Sequence, residues 1–209
     1  MKYFEIDDFR SGVFATGERN AIYALENDTD TIHWGHVFGV VLSGVAMVNN
    51  QILYKNDFFS VPAPFEAKAE GKVAMFIRSG WRGHKINSAT LSVDKGDLKY
   101  IDGCTDTLLV CPPRKGDPCF NALYFPPNVD QTFHTHPSQR LGAVVHGEGW
   151  ACVDGKEIPL KEGDVWLIET NELHRFRTGN SPMVVVAYHP DSDFGPEDED
   201  HPMINRTII

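Results

Sequence analysis

Along the chain, runs of β-branched and aromatic residues alternate with clusters of glycine, proline, asparagine and aspartate. The runs include "GVFATG", "HVFGVVLSGVAMVNN", "KVAMFIRSG", "TDTLLVCPP", "LGAVVHGEGWACVDG", "GDVWLIET" and "PMVVVAYHP". Short apolar segments bounded by turn residues at this spacing predict the strands of an all-β sandwich or barrel. No apolar pattern with a helical period continues through three turns, so helices are expected to be minor and peripheral.

The pattern also repeats. "NAIY" (Asn20 to Tyr23) matches "NALY" (Asn121 to Tyr124), and at the same offset of 101 fall Asn27 and Asn128, Thr31 and Thr132, His33 and His134. After a two-residue gap, "GVVLSG" (Gly39 to Gly44) lies over "GAVVHG" (Gly142 to Gly147), and "ND" before "FFSVP" lies over "GD" before "VWLIE". Two copies of one β unit are the simplest reading. Two tandem barrels are therefore expected, residues 1–90 and 91–209, joined in the polar stretch Gly83 to Asp97 where the periodicity lapses.

Composition narrows the function classes. With 209 residues and 42% apolar positions the chain can bury a substantial core. A formal charge of −10, without a Lys/Arg cluster, argues against nucleic acid as a partner. No apolar run reaches the roughly 18 residues needed to cross a bilayer, so no membrane partner is expected. The opening "MKYFEIDDFRSG" is too acidic and broken for a signal peptide, and a cytoplasmic protein is expected. Cys104, Cys111, Cys119 and Cys152 have no CxxC spacing and are expected to be free thiols. Nucleophile elbows, P-loops and dinucleotide fingerprints are absent from the sequence.

The chemistry concentrates in two segments, "TFHTHPSQRLGAVVHGEG" (Thr132 to Gly149) and "GDVWLIETNELHRF" (Gly163 to Phe176). Residues i and i+2 of a strand share a face, so His134 and His136 point the same way. The pair, the glycine at Gly147 and the downstream His174 resemble the cupins, small β-barrels with an HxH motif, a glutamate, a glycine and a later histidine. The resemblance covers roughly Asn121 to His189 well and the first copy less securely, and it implies a bicupin of jelly-roll type. It also implies that His134, His136 and His174 hold one divalent metal, with Fe(II) preferred and Zn, Ni or Mn as alternatives. Neutral imidazoles suit such ions better than Mg or Ca.

The sequence departs from the cupin pattern at informative places. Arg140 stands where the glutamate ligand is usual, and a guanidinium has no lone pair for a metal. Two arrangements are open: Arg140 faces the cavity as a substrate-binding group beside three histidines, or Gln139 turns inward as a fourth ligand. Glu169 and Asn171 replace the usual proline and glycine, and asparagine tolerates the left-handed turn required there. In the first copy Gly35, Val37 and Ala67 align with His136, Arg140 and His174, leaving His33 alone. That copy is expected to be metal-free, with His36 a structural histidine. The acidic "HPDSDFGPEDEDH" is expected to be a solvated tail.

Three neutral ligands leave a divalent ion its full charge, and a facing Arg140 adds a bidentate anchor for carboxylate. The expected function is a metal-dependent cupin enzyme on a small anionic molecule, dioxygenase-like by resemblance. The alternatives are non-redox isomerase, lyase or cyclase chemistry, or small-molecule binding without catalysis. Assembly as a homodimer is left open.

Overall fold

The computed structural model describes residues 1–4, 12–83 and 86–208. Most of the opening segment, and His84 and Lys85 within the expected joining stretch, lie outside the described residues. Strands dominate the described residues, as expected, with one short α-helix, α1 (Pro202–Asn205), near the C-terminus and a 3-10 turn at Ile101–Gly103.

The first sheet contains β2 (Gly12–Ala15), β3 (Asn20–Glu26), β4 (Thr29–Ile32), β5 (His36–Val48), β6 (Gln51–Tyr54), β7 (Asp57–Pro62), β8 (Phe65–Arg78) and β9 (Asn87–Thr90). Its order is β2-β3-β8-β5-β7-β9, with β4 on β8 and β6 on β5. The second contains β1 (Lys2–Phe4), β10 (Leu98–Lys99), β11 (Thr105–Val110), β12 (Cys119–Phe125), β13 (Arg140–Val153), β14 (Lys156–Lys161), β15 (Val165–Ile168), β16 (His174–Arg177) and β17 (Met183–His189). Its order is β1-β15-β13-β17-β12-β11-β10, with β14 and β16 both on β13. Every pairing is antiparallel, and the two sheets are those of cupin-like jelly-roll barrels. The chain passes from the first sheet to the second between Thr90 and Leu98, inside or just beyond the expected stretch. Lys2–Phe4 is an exception, because it pairs with β15 and so joins the N-terminus to the second sheet.

Three apolar cores hold this together. Val37, Val41, Phe59, Met75 and Ile77 fill the interior of the first sheet, and Phe125, Val144, Trp166, Val185 and Ala187 line that of the second. The third core lies between the two sheets, where Phe38, Phe58 and Phe76 meet Phe120, Leu141 and Tyr188. Strands such as β3 and β12 are thus buried on both faces and carry apolar residues at nearly every position.

The two halves share a construction detail. The β5–β8 ladder shifts register between Val41 and Ser43, and the β13–β17 ladder between Val144 and His146, both 103 residues apart. Each bulge ends in a left-handed glycine, Gly44 at φ 71° and Gly147 at φ 74°. A Cβ at either would sit 2.0 Å from a backbone carbonyl oxygen, of Glu70 or of Pro182, so only glycine fits. The alignment of "NAIY" with "NALY" is three residues out of register, however. Leu25 and Val41 both pair with Val73, while Leu123 and Val144 both pair with Val185. Leu25 therefore corresponds to Leu123, an offset of 98 rather than 101. The odd slip exchanges faces: Ala21 belongs to the interior of the first sheet, whereas Ala122 belongs to the shared core.

Candidate metal centre

His134, His136 and His174 converge. Their ring nitrogens lie within 4.8 Å of one another, and their ring centroids are 4.5 to 5.1 Å apart. The backbone sets this up. His134 and His174 form an isolated antiparallel bridge, each N–H donating to the other's carbonyl at 2.9 and 3.0 Å. The His136 carbonyl accepts from Asn171 N–H at 2.8 Å, and Asn171 adopts the left-handed conformation, φ 58°, that its side chain tolerates.

Backbone carbonyls also orient the rings. His134 Nδ1 lies 2.9 Å from Thr132 O, and His174 Nδ1 lies 2.8 Å from Glu172 O. Each Nδ1–H donates to its carbonyl, which leaves the Nε2 lone pair for another partner. Nε2 of His174 is buried with no hydrogen-bond partner. Burial, then the Arg140 guanidinium, pulls the His136 pKa from 6.5 to about 3. Burial, then His134, does the same to His174, also to about 3. Neutral imidazoles with free lone pairs, one of them orphaned, are the donor set a Zn or Fe(II) ion requires.

The triad opens into a cavity of about 50 Å³. One wall is apolar, formed by Leu123, Phe125, Trp166, Ile168, Phe176 and Ala187. Trp166 lies against Gly142, where a Cβ would sit 2.1 Å from the indole ring, so a glycine is needed to shape that wall. The polar lining beside the triad is Tyr100, Asp106, Gln131, Arg140 and His189.

Arg140 is only 8% exposed and lines this cavity. One terminal nitrogen donates to Ser138 O at 3.1 Å, Ser138 Oγ at 2.6 Å and Gln139 O at 2.9 Å. Its Nε is buried without a partner, and it makes no ion pair among the described residues. Gln139, 1% exposed, does not line the cavity. Its amide donates to Glu169 Oε2 and accepts from Thr16 Oγ1, both at 2.8 Å. Glu169 also pairs with Lys2 at 3.0 Å.

In the first half, His33 is exposed, while Val37 and Ala67 belong to an apolar core. His36 is buried with both nitrogens engaged, Nε2 with Ser60 Oγ at 2.7 Å and Nδ1 accepting from Gly83 N–H at 3.1 Å. The four cysteines are free thiols, three of them buried. The acidic tail is largely exposed, as expected, and carries surface ion pairs from Arg114 to Asp198 at 2.7 Å and from Lys115 to Glu197. Sequence reasoning missed Tyr100, Asp106 and His189. For His189 a signal existed: it stands two and four residues from Ala187 and Val185, on the same inward face of β17.

Residues 122–189 match the family described as Cupin domain. Among solved structures, the chain is similar to a cupin 2 conserved barrel domain protein from Leptotrichia buccalis, at 16% identity and TM-score 0.65, over 91% of this chain and 96% of that one. It is also similar to a salicylate 1,2-dioxygenase from Pseudaminobacter salicylatoxidans, at 10% identity and TM-score 0.63, covering 90% and 83%. A third is oxalate decarboxylase from Bacillus subtilis, at 12% identity and TM-score 0.57, covering 92% and 78%. Comparison with curated protein sequences finds no match. At such identities the likeness establishes the fold, which is that of the cupins. No helix among the described residues is long and apolar enough to cross a membrane.

Proposed function

We propose that this chain is a bicupin enzyme that uses one divalent metal, held by His134, His136 and His174, to act on a small carboxylate bound by Arg140. The observation that carries the reading is Arg140 itself. A guanidinium 8% exposed, with an orphaned Nε and with its compensating carboxylate, Asp191, reached only through Ser138 Oγ, shares one small cavity with three neutral imidazoles. Burying a charge without a direct ion pair is costly, and a bound anion adds to the compensation that Asp191 provides. The ion, when bound, supplies a Lewis acid or a redox centre with open positions. The protein's own residues do the remainder. Arg140 orients the acid, the aromatic and aliphatic wall excludes water, and neutral His189 offers ring nitrogens to the same cavity. The first unit lacks equivalent ligands, since it pairs Ile32 with Phe65 where the second bridges His134 to His174, and it supports the second through the shared core.

Dioxygenase chemistry with Fe(II) is the first form of this proposal, in keeping with the similarity to salicylate 1,2-dioxygenase. A non-redox lyase or isomerase is the second, favoured by Asp106 and His189 in the cavity as proton-handling groups. Metal analysis of protein purified without added metal, followed by oxygen uptake with a panel of small carboxylates, tests both. Bound iron and carboxylate-dependent oxygen consumption are expected. Bound manganese, zinc or nickel with acid turnover and no oxygen uptake would select the second form. Metal-free protein that binds acids unchanged would leave a binding module and refute the enzyme.

A further inference from the structure

We infer that the cavity selects a small amino acid, taking its carboxylate on Arg140 and its ammonium on Asp106. This rests on the proposed pairing of Arg140 with carboxylate and adds to it a second, oppositely charged end. Asp106 pairs across the sheet with Leu123, whose side chain lines the cavity, so the carboxylate faces the same interior. Both Asp106 oxygens accept from the single Nδ2 of Asn121, each at 3.0 Å. A carboxylate offers about four acceptor sites, so about half of its capacity is unused. Asp106 makes no ion pair among the described residues, and Arg140 is beyond ion-pair distance from it.

The cavity therefore holds an anion, Asp106, that makes no ion pair among the described residues, and a cation, Arg140, whose compensating carboxylate, Asp191, is reached only through Ser138 Oγ. Much of the remaining lining is apolar, from Leu123, Phe125, Trp166, Ile168, Phe176 and Ala187. Two separated charges without direct ion pairs in a partly dry site are each unfavourable. A ligand with one anionic and one cationic end compensates both, whereas a simple monoacid compensates one. A dicarboxylate brings its second charge against Asp106. Burial already raises the Asp106 pKa, in keeping with a carboxylate that has no cation beside it. His189 accepts or donates with equal ease when neutral, so it does not discriminate. Size narrows the choice further. At about 50 Å³ the cavity has room for roughly three to five water-sized groups, which limits the ligand to a few heavy atoms.

The test is titration calorimetry with alanine, β-alanine, propanoate and malonate, on zinc-loaded and metal-free protein. At least one of the two amino acids should bind about 10- to 100-fold more tightly than propanoate, the range of one hydrogen bond to a charged group. Malonate should bind more weakly than propanoate. Asp106→Asn preserves shape and should abolish the amino-acid advantage, leave propanoate unchanged and improve malonate. The gain for malonate cannot come from misfolding. If propanoate binds through Arg140 but neither amino acid gains over it, or the gain survives Asp106→Asn, the role of Asp106 is overturned and the carboxylate reading stands. If no acid binds at all, the carboxylate reading falls and this inference with it.

Discussion

Replacing Arg140 by methionine separates the two arrangements that the sequence leaves open. The substitution keeps an apolar stem of similar reach and removes no metal ligand. It deletes three hydrogen bonds, to Ser138 O, Ser138 Oγ and Gln139 O. Each contributes on the order of 1 kcal/mol net. It also removes a buried guanidinium whose desolvation opposes folding, a cost of similar or greater size. Stability should therefore change by no more than about 2 kcal/mol, and metal content should not change. Affinity for carboxylate is another matter. Losing a charge-assisted partner in a partly buried site costs about 2 to 5 kcal/mol, or roughly 30-fold to several-thousandfold. Metal analysis of the purified variant, with calorimetric titration of propanoate, reads both quantities. Unchanged propanoate affinity in a folded, metal-loaded variant would refute the assignment of Arg140 to the acid.

The other predictions concern neighbouring parts of the same design. Gln139→Ala should retain the metal and lower stability by about 1 to 3 kcal/mol, because its amide bridges Thr16 and Glu169 and does not face the histidines; metal loss in this variant would restore it as a fourth ligand. His134→Ala or His174→Ala should remove most of the metal, whereas His33→Ala should leave it unchanged, since His33 is exposed and stands apart from the triad. Equal loss from all three would place the working site wrongly. Acid should destabilise the metal-free protein through His36, whose pKa burial, then Arg82, depresses from 6.5 to about 4. The folded state favours the neutral ring, so its contribution is complete above about pH 6.5 and is lost as pH falls toward 4. Thermal melts across that window should show a shallower pH slope in His36→Gln, and an unchanged slope would count against it.

How much of this was legible depends on whether a residue's neighbours are near in sequence or only in register. The histidine pair, the bulge glycine at Gly147 and the left-handed Asn171 are local features, each fixed by a turn or by strand parity, and they were readable. Asp106 was not, because it reaches the triad only through the order β13-β17-β12-β11, which no spacing encodes, whereas His189 was marked only by its parity with Ala187 and Val185 on β17. The misplaced "NAIY" match has a related cause. β3 and β12 are buried on both faces, so their sequences carry no alternation of apolar and polar residues to mark which side faces inward. Correct register explains the asymmetry of the halves better than ligand counting does. Val37 pairs with Ile77 in the first sheet, and Arg140 and His189 follow the pair Leu141 and Tyr188 in the second. The step from Val41 to Val144 carries Val37 onto Arg140, and the step from Val73 to Val185 carries Ile77 onto His189. Two apolar side chains thus fill in one barrel the place that two polar ones hold in the other. Loss of ligands and loss of the cavity's polar lining coincide in the first half, as expected if both belong to one site that recognises a charged ligand.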